Sequence, residues 1–304
     1  MKADDAIERL RADGSTATTF PDGAQFRIEI PSVEGPRVLE EVVRAAEAEG
    51  IVVNRVSQGS GAMLLREAEL RELAEIGAAA GMEVSLFVGP REGYDVGAHA
   101  RSAEGAAQAG QLRGLRGLRY AAEDVSRAAE CGIRSFLIAD TGLLRLLTEM
   151  QGAGELPAEI VWKISVLLAP SNPLALRELE HLGASDGMFT VEQLAELRAA
   201  TALPLDLYVE SPDGLGGVVR GDELGELVKA GAPLYAKFGL RNARMIYPAG
   251  AHLLDEARAI AREKVHRAAA ALEWLDRLSP ELVQSGAGAP GLGVPRPAAE
   301  AVPG

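Results

Sequence analysis

Short apolar segments alternate with helical segments eight times along the chain, and this alternation is the feature that most limits the possible folds. The clearest example is residues 204–220, PLDLYVESPDGLGGVVR, where an alternating strand ends at Glu210 and runs into a glycine-rich loop. A helix is predicted next, over residues 222–230. Repeated strand, loop and helix units favour a parallel sheet, because each helix returns the chain to start the next strand.

The eight predicted strands occupy residues 26–33, 51–58, 82–89, 133–140, 159–170, 186–190, 205–210 and 234–240. Their number and spacing predict a (β/α)8 barrel of the TIM type. No glycine fingerprint of the dinucleotide-binding type follows the first strand, which argues against an open doubly wound sheet. We expect one domain over residues 23–278 with a long loop at 90–120, preceded by an N-terminal helix and turn at 1–22 and followed by a disordered tail at 279–304.

The composition limits the classes of partner. The 304 residues are 47% hydrophobic and carry a formal net charge of −13, which disfavours nucleic acid or an anionic membrane as the main partner. Cys131 is the only cysteine, so an internal disulfide and an all-cysteine metal or iron–sulfur site within one chain are ruled out. The N-terminus lacks the apolar segment of a signal peptide, and no apolar run approaches a membrane span. These features predict a cytoplasmic protein whose partner is a small molecule, and a homo-oligomer remains open.

Charged side chains stand inside the predicted strands, on the face that would point into a barrel. Because side chains on a strand alternate between faces, Glu29, Lys163 and Lys237 are expected to converge in the interior. Active sites of such barrels lie at the carboxyl ends of the strands, where Asp140 and Glu210 also stand. We therefore predict five catalytic candidates: Glu29, Asp140, Lys163, Glu210 and Lys237. An ion-pair network that only fills the interior is the competing interpretation.

Two chemistries suit these candidates. A lysine held among other cations loses basicity and forms an imine with a carbonyl substrate, so Lys163 or Lys237 would serve a lyase or aldolase. Converging carboxylates would instead bind a divalent cation or act as acid and base. Neither pattern has a spacing that selects it over the other.

Glycine-rich loops follow the last two strands, at the corner where barrels of this type often bind phosphate. Backbone N–H groups and arginines there would capture an anionic group, although the glycines also suit a tight turn. The predicted substrate-binding residues combine these loops with polar strand positions: Arg55, Ser165, Gly214, Gly216, Gly217, Arg220, Arg241 and Asn242.

Residues 171–210, SNPLALRELEHLGASDGMFTVEQLAELRAATALPLDLYVE, resemble the collagenase-like peptidases of unknown catalytic type, peptidase family thirty-two. A weaker similarity covers residues 38–54. The resemblance implies a barrel and a peptidase-like activity. Members of the family that carry iron–sulfur clusters bind them through cysteines, which this chain lacks, so the cluster is not expected here.

Three functions follow from these features. The first is a hydrolase of the peptidase-like type that acts on a small polar or anionic substrate at a charged barrel mouth. The second is a lyase or aldolase. The third is an inert barrel that binds a partner through the long loop, where Arg113, Arg116 and Arg119 stand at helical spacing.

Overall fold

The computed structural model of the chain describes residues 4–5, 18–95, 102, 108–168, 170–184, 187–189 and 194–297. The strands are β1 (Phe26–Pro31), β2 (Arg55–Ser57), β3 (Glu83–Phe87), β4 (Ser135–Ile138), β5 (Val161–Ile164), β6 (Gly187–Phe189), β7 (Leu205–Glu210) and β8 (Leu234–Phe238). The helices are α1 (Pro36–Glu49), α2 (Glu67–Ala79), α3 (Gly114–Glu130), α4 (Thr141–Gly152), α5 (Pro173–His181), α6 (Leu194–Arg198), α7 (Leu224–Gly231) and α8 (Leu254–Leu278).

The strands form one parallel sheet in the order β5-β4-β3-β2-β1-β8-β7-β6. The first and last strands are neighbours, since β1 pairs with β8 in the register Ile28↔Ala236. The two ends of this order, β5 and β6, approach within 8 Å between Cα atoms. The structure is thus a curled parallel α/β sheet, and no ladder between β5 and β6 is found in the described ranges.

The predicted alternation of strand faces is present in β1. Phe26, Ile28 and Ile30 are buried in the apolar core shared with the helices, whereas Arg27 and Glu29 belong to the interior of the curl. Among the described helices, none is long and apolar enough to cross a membrane.

Local sequence signals explain where the helices begin and end. The side chain of Asn172 accepts hydrogen bonds from the amides of Leu174 and Ala175 at the start of α5, where proline occupies the first turn, as predicted. Gly50 ends α1 at a φ of 67°, a conformation that glycine adopts without a Cβ clash.

Helix α3 begins seven residues earlier than the predicted helix over 121–131, so the long loop is shorter than predicted. Residues 96–101 and 103–107 of this loop lie outside the described part.

The expectation of a disordered tail from residue 279 is wrong for residues 279–297, while residues 298–304 lie outside the described part. This segment, which we call the closing strap, runs across the amino ends of the first strands. Val283 accepts a hydrogen bond of 2.9 Å from the amide of Gln25, and Arg296 donates one of 2.7 Å to Gly132. Its glycine and proline content suggested disorder, but small residues allow close backbone contact: a Cβ on Gly293 would lie 2.7 Å from the Arg134 carbonyl. Of the predicted N-terminal helix, only residues 4–5 are described, as helix.

Candidate functional site

A buried ion network fills the interior of the curl, with Glu29 at its centre. One Glu29 oxygen, Oε2, lies 2.6 Å from Arg55 Nη2 and also contacts the Lys163 amine. The other oxygen, Oε1, lies 3.0 Å from Lys237 Nζ and accepts a 2.6 Å hydrogen bond from the Ser57 hydroxyl. All four of these partners and Glu29 itself are buried. The structure therefore brings together three of the five predicted catalytic residues.

Two further carboxylates complete the network. Asp206 contacts Arg55, lies 2.5 Å from Lys163 Nζ and lies 3.8 Å from Lys237 Nζ. Glu83 lies 3.6 Å from Arg55 Nη1. Three cations thus face three carboxylates, which is the balance that buried charges need.

This balance sets the ionisation of Glu29. Burial alone would raise its pKa, but Arg55, Lys163 and Lys237 together hold the pKa well below its usual range. Burial lowers the pKa of Lys163, and the neighbouring Arg55 lowers it further. Glu29 is consequently an ionised anchor of the network at neutral pH.

A cavity of about 560 Å³ opens at the carboxyl ends of the strands, and we call it the mouth cavity. Its floor includes Lys237 and Ser57 from the ion network, together with Ser165 and Tyr208. Lys237 Nζ lies 4.9 Å from the centre of the Tyr208 ring. Arg55 and Lys163 do not line the cavity. Lys237 therefore connects the buried charges with a space that a small molecule can occupy.

Lys264, on α8, also lines the mouth cavity and was not among the predicted residues. Its amine donates a 2.7 Å hydrogen bond to the Pro31 carbonyl, and only 3% of the residue is exposed. Burial lowers the pKa of Lys264 to about 8, against the opposing effect of Glu34, and Lys237 lowers it further. A sequence signal exists: Lys264 stands at helical spacing on the buried face of α8, between Ala261 and Ala268.

Asp140, one of the predicted catalytic residues, caps a helix in the structure. Its Oδ1 accepts a 2.8 Å hydrogen bond from the amide of Leu143 and caps α4, and its Oδ2 accepts one of 3.1 Å from Leu112. Both oxygens are therefore occupied by backbone donors at the start of a helix.

Glu210 does not line the mouth cavity, although its parity in β7 placed it beside Asp206 and Tyr208. The pairing of β7 with β8 shifts register between Tyr208 and Glu210, which interrupts the alternation of faces. Glu210 instead borders a second cavity of about 530 Å³ with Arg267 on α8, and its Oε1 accepts a 3.0 Å hydrogen bond from the Arg241 amide.

The predicted anion corner is occupied by the side chain of Asp213. The amide of Asn242 donates to Asp213 Oδ2 at 2.8 Å, and Arg241 Nε lies 3.5 Å from Oδ1. The amides of Gly216 and Gly217 donate to carbonyls within their own turn, at 3.1 Å each. These donors therefore serve the loop itself.

Some of the other predicted binding residues make structural contacts, and some line the mouth cavity. Arg220 donates to the Tyr208 carbonyl at 2.7 Å, which makes it a support of β7. Arg55 is buried in the ion network, whereas Gly214 and Ser165 line the mouth cavity. No group of three or more histidine, cysteine, aspartate or glutamate side chains within the described ranges is arranged to hold a metal ion.

The sequence matches no protein-family model, and no curated protein resembles it. Several solved structures resemble the fold at low identity. The U32 peptidase Mk0906 is 17% identical over 64% of this chain and 73% of its own, with a TM-score of 0.39. A 2,3-dimethylmalate lyase is 16% identical over 91% and 87%, with a TM-score of 0.45. The putative copper homeostasis protein CutC from Streptococcus agalactiae is 12% identical over 69% and 98%, with a TM-score of 0.47.

Proposed function

We propose that this chain is an enzyme built on a closed (β/α)8 barrel, and that it acts on a small carbonyl compound held in the mouth cavity. The Lys237 nitrogen bonds to the carbonyl carbon, and the carbonyl oxygen leaves as water. The resulting iminium accepts the electron pair of the bond between its α and β carbons as that bond breaks, and the β carbon leaves as a second carbonyl compound once its hydroxyl loses a proton. The enamine left on Lys237 takes up a proton, and water hydrolyses the iminium to release the first carbonyl product and the lysine. The reaction is that of a lyase or aldolase.

The observation that carries the proposal is the position of Lys237. Within the described part of the chain it is the one cation of the ion network that also lines the mouth cavity. Barrel enzymes place their reactive groups at the carboxyl ends of the strands, and Lys237 stands one residue before the end of β8.

The charge balance of the network supports the same chemistry. An ammonium and a carbonyl give an iminium and water, so the lysine nitrogen carries one positive charge before and after imine formation, although the attacking amine itself is neutral. Glu29, 3.0 Å away, stabilises the iminium as it stabilises the ammonium. The step therefore leaves no unpaired charge in the interior.

Closure of the barrel belongs to the proposal. The β1–β8 ladder joins the two ends of the chain's strand series, and the approach of β5 to β6 supports closure on the opposite side. A barrel interior of this size is filled by side chains, as the ion network fills this one.

Lyase chemistry replaces hydrolysis as our leading function. The lining of the mouth cavity contains neither histidine nor cysteine, so it offers no Ser/His/Asp or Cys/His set for cutting a peptide bond. That residues 171–210 are related to the family-thirty-two peptidases remains a prediction. The present proposal takes only the barrel fold from this resemblance.

Borohydride trapping tests the proposal. The protein is incubated with a panel of small aldehydes, ketones and oxo acids, reduced, digested and examined by mass spectrometry. We expect an adduct on Lys237 that disappears in Lys237→Met and persists in Lys229→Met, which alters a half-exposed lysine on α7. An adduct confined to Lys264, or none with any compound in the panel, contradicts the proposal.

A further inference from the structure

An apolar surface in the mouth cavity separates two cationic groups. Phe87 and Leu137 form a small buried cluster, and Tyr208 packs against it. The guanidinium carbon of Arg91 lies 3.8 Å from the centre of the Phe87 ring, and Lys237 Nζ lies 4.9 Å from the centre of the Tyr208 ring. A ligand resting on this cluster would have a cation near each edge.

Arg91 is held rigidly and has one nitrogen to spare. Its Nη2 has three acceptors within hydrogen-bond distance, the carbonyls of Gly59 and Ser60 at 2.7 and 2.9 Å and the Tyr94 hydroxyl at 2.5 Å, which share its two N–H groups. Its Nη1 is buried and has no hydrogen-bond partner among the described residues. Buried donors are normally satisfied, and Arg91 is one of the residues that line the mouth cavity, so its unmatched nitrogen points to an acceptor supplied by a ligand.

The charges around the cavity indicate an anionic acceptor. Four cationic side chains line it, namely Arg91, Lys237, Arg244 and Lys264, whereas Asp213 is the one acidic side chain described there. Asp213 is already bound by the loop that follows β8. Lys237 and Arg244 likewise have carboxylate partners, Glu29 at 3.0 Å and Glu256 at 3.3 Å. Among the described residues, Arg91 and Lys264 are the cations of this lining that have no ion pair.

Arg91 also borders a groove outside the barrel, and the charges there differ. That groove contains Glu92, Asp95 and Asp124 beside its arginines, and Arg113 already pairs with Glu92 at 2.7 Å. An anion is therefore better matched by the mouth cavity than by the groove.

We propose that the mouth cavity takes an oxo acid with an apolar body. The carboxylate accepts hydrogen bonds from Arg91, the carbon chain rests on the surface formed by Phe87, Leu137 and Tyr208, and the carbonyl carbon lies at Lys237. This inference rests on the proposed function for the carbonyl end only, since Arg91 and the apolar cluster define the carboxylate end independently.

The test uses eight-carbon oxo acids that differ in the position of the carbonyl, together with octan-2-one, which has no carboxylate. Calorimetry measures their binding to the wild-type protein, Arg91→Gln, Arg91→Lys and the control Arg145→Gln, which alters an exposed arginine on α4. We expect Arg91→Gln to weaken the oxo acids by about 10- to 100-fold, the range for a hydrogen bond to a charged group. Arg91→Lys should recover part of this loss, and the control should change nothing.

Octanone separates loss of the carboxylate contact from loss of the fold. If Arg91→Gln distorts the cavity, the ketone and the oxo acids weaken alike, and that result overturns the inference. Failure of every oxo acid to bind, or equal affinity for oxo acids and ketone in the wild type, overturns it as well. Arg91-dependent binding without a trapped imine would uphold the anion site and refute the Lys237 mechanism, whereas imines formed without any dependence on Arg91 would do the reverse.

Discussion

Replacing Glu29 by Gln removes one negative charge from the ion network while keeping the size and shape of the side chain. Arg55, Lys163 and Lys237 then face only Asp206 and Glu83. Removing one partner of a buried ion pair costs about 3–5 kcal/mol, because the remaining charge is left uncompensated. We expect the free energy of unfolding to fall by that amount, a large fraction of the 5–15 kcal/mol typical of folded proteins, taken as a rough scale.

Denaturant titration at several pH values measures the effect and gives it a signature. Glu29 stays ionised in the folded chain below its usual pKa, whereas an unfolded glutamate takes up a proton near about pH 4.3. Its contribution is complete above that pH and is lost as the pH falls through the lower folded-state value. The difference between wild type and Glu29→Gln should therefore be largest near neutrality and shrink as the pH falls below about 5.

Two comparison variants make the result decisive. Glu40→Gln removes a carboxylate from an exposed pair with Arg37 and should cost less than about 1 kcal/mol. The double variant Glu29→Gln/Lys163→Met restores equal numbers of charges and should lose less stability than the two single variants added together. A Glu29→Gln protein as stable as Glu40→Gln, or a difference that does not change with pH, would refute the network as an energetic unit.

Three more predictions can be checked in the same denaturant assay. The pKa of Lys264 is about 8 in the folded chain and about 10.4 in the unfolded chain. Between these two pH values the free energy of unfolding of the wild type should rise relative to that of Lys264→Met, by up to about 3 kcal/mol. A difference that does not change with pH contradicts this. Gly293→Ala should cost about 1–3 kcal/mol because the new Cβ meets the closing strap's backbone neighbour, while Gly286→Ala, with no atom within 4 Å, should be nearly neutral; equal effects would count against the strap. Asp140→Ala should lower the free energy of unfolding by about 1 kcal/mol through the lost helix cap and leave imine trapping on Lys237 intact. Loss of trapping in a variant of full stability would instead support the predicted catalytic role of Asp140.

Strand periodicity predicted which charged side chains meet in the interior. The alternation in β1 placed Glu29 on the inner face, and the same reasoning brought Lys163 and Lys237 to it, because parallel strands in register share one face. It failed at Glu210 because a register shift is set by the neighbouring strand and is invisible in the sequence of β7 alone. The helix cap at Asp140 was not anticipated, because a residue that follows a strand also begins the next helix and the same carboxylate suits either role.

Other features depend on contacts that no local pattern encodes. Lys264 reaches the mouth cavity from a helix, so the pattern of polar residues at strand ends does not predict it. The donors of the glycine loops were anticipated, but the Asp213 carboxylate lies within the same corner and binds the Asn242 amide and the Arg241 side chain. The closing strap has no apolar periodicity and is ordered by hydrogen bonds to Gln25, Gly81 and Gly132, which come from distant parts of the chain.

The closing strap and the β1–β8 ladder together impose an order on folding. β1 is the first strand in chain order, yet one of its two edges pairs with the last, β8, and Arg27 at its amino end donates a hydrogen bond to the Pro290 carbonyl. A nascent chain therefore cannot complete the contacts of β1 until the residues through Pro290 have emerged. The first strand of the sheet is in this sense one of the last to be finished.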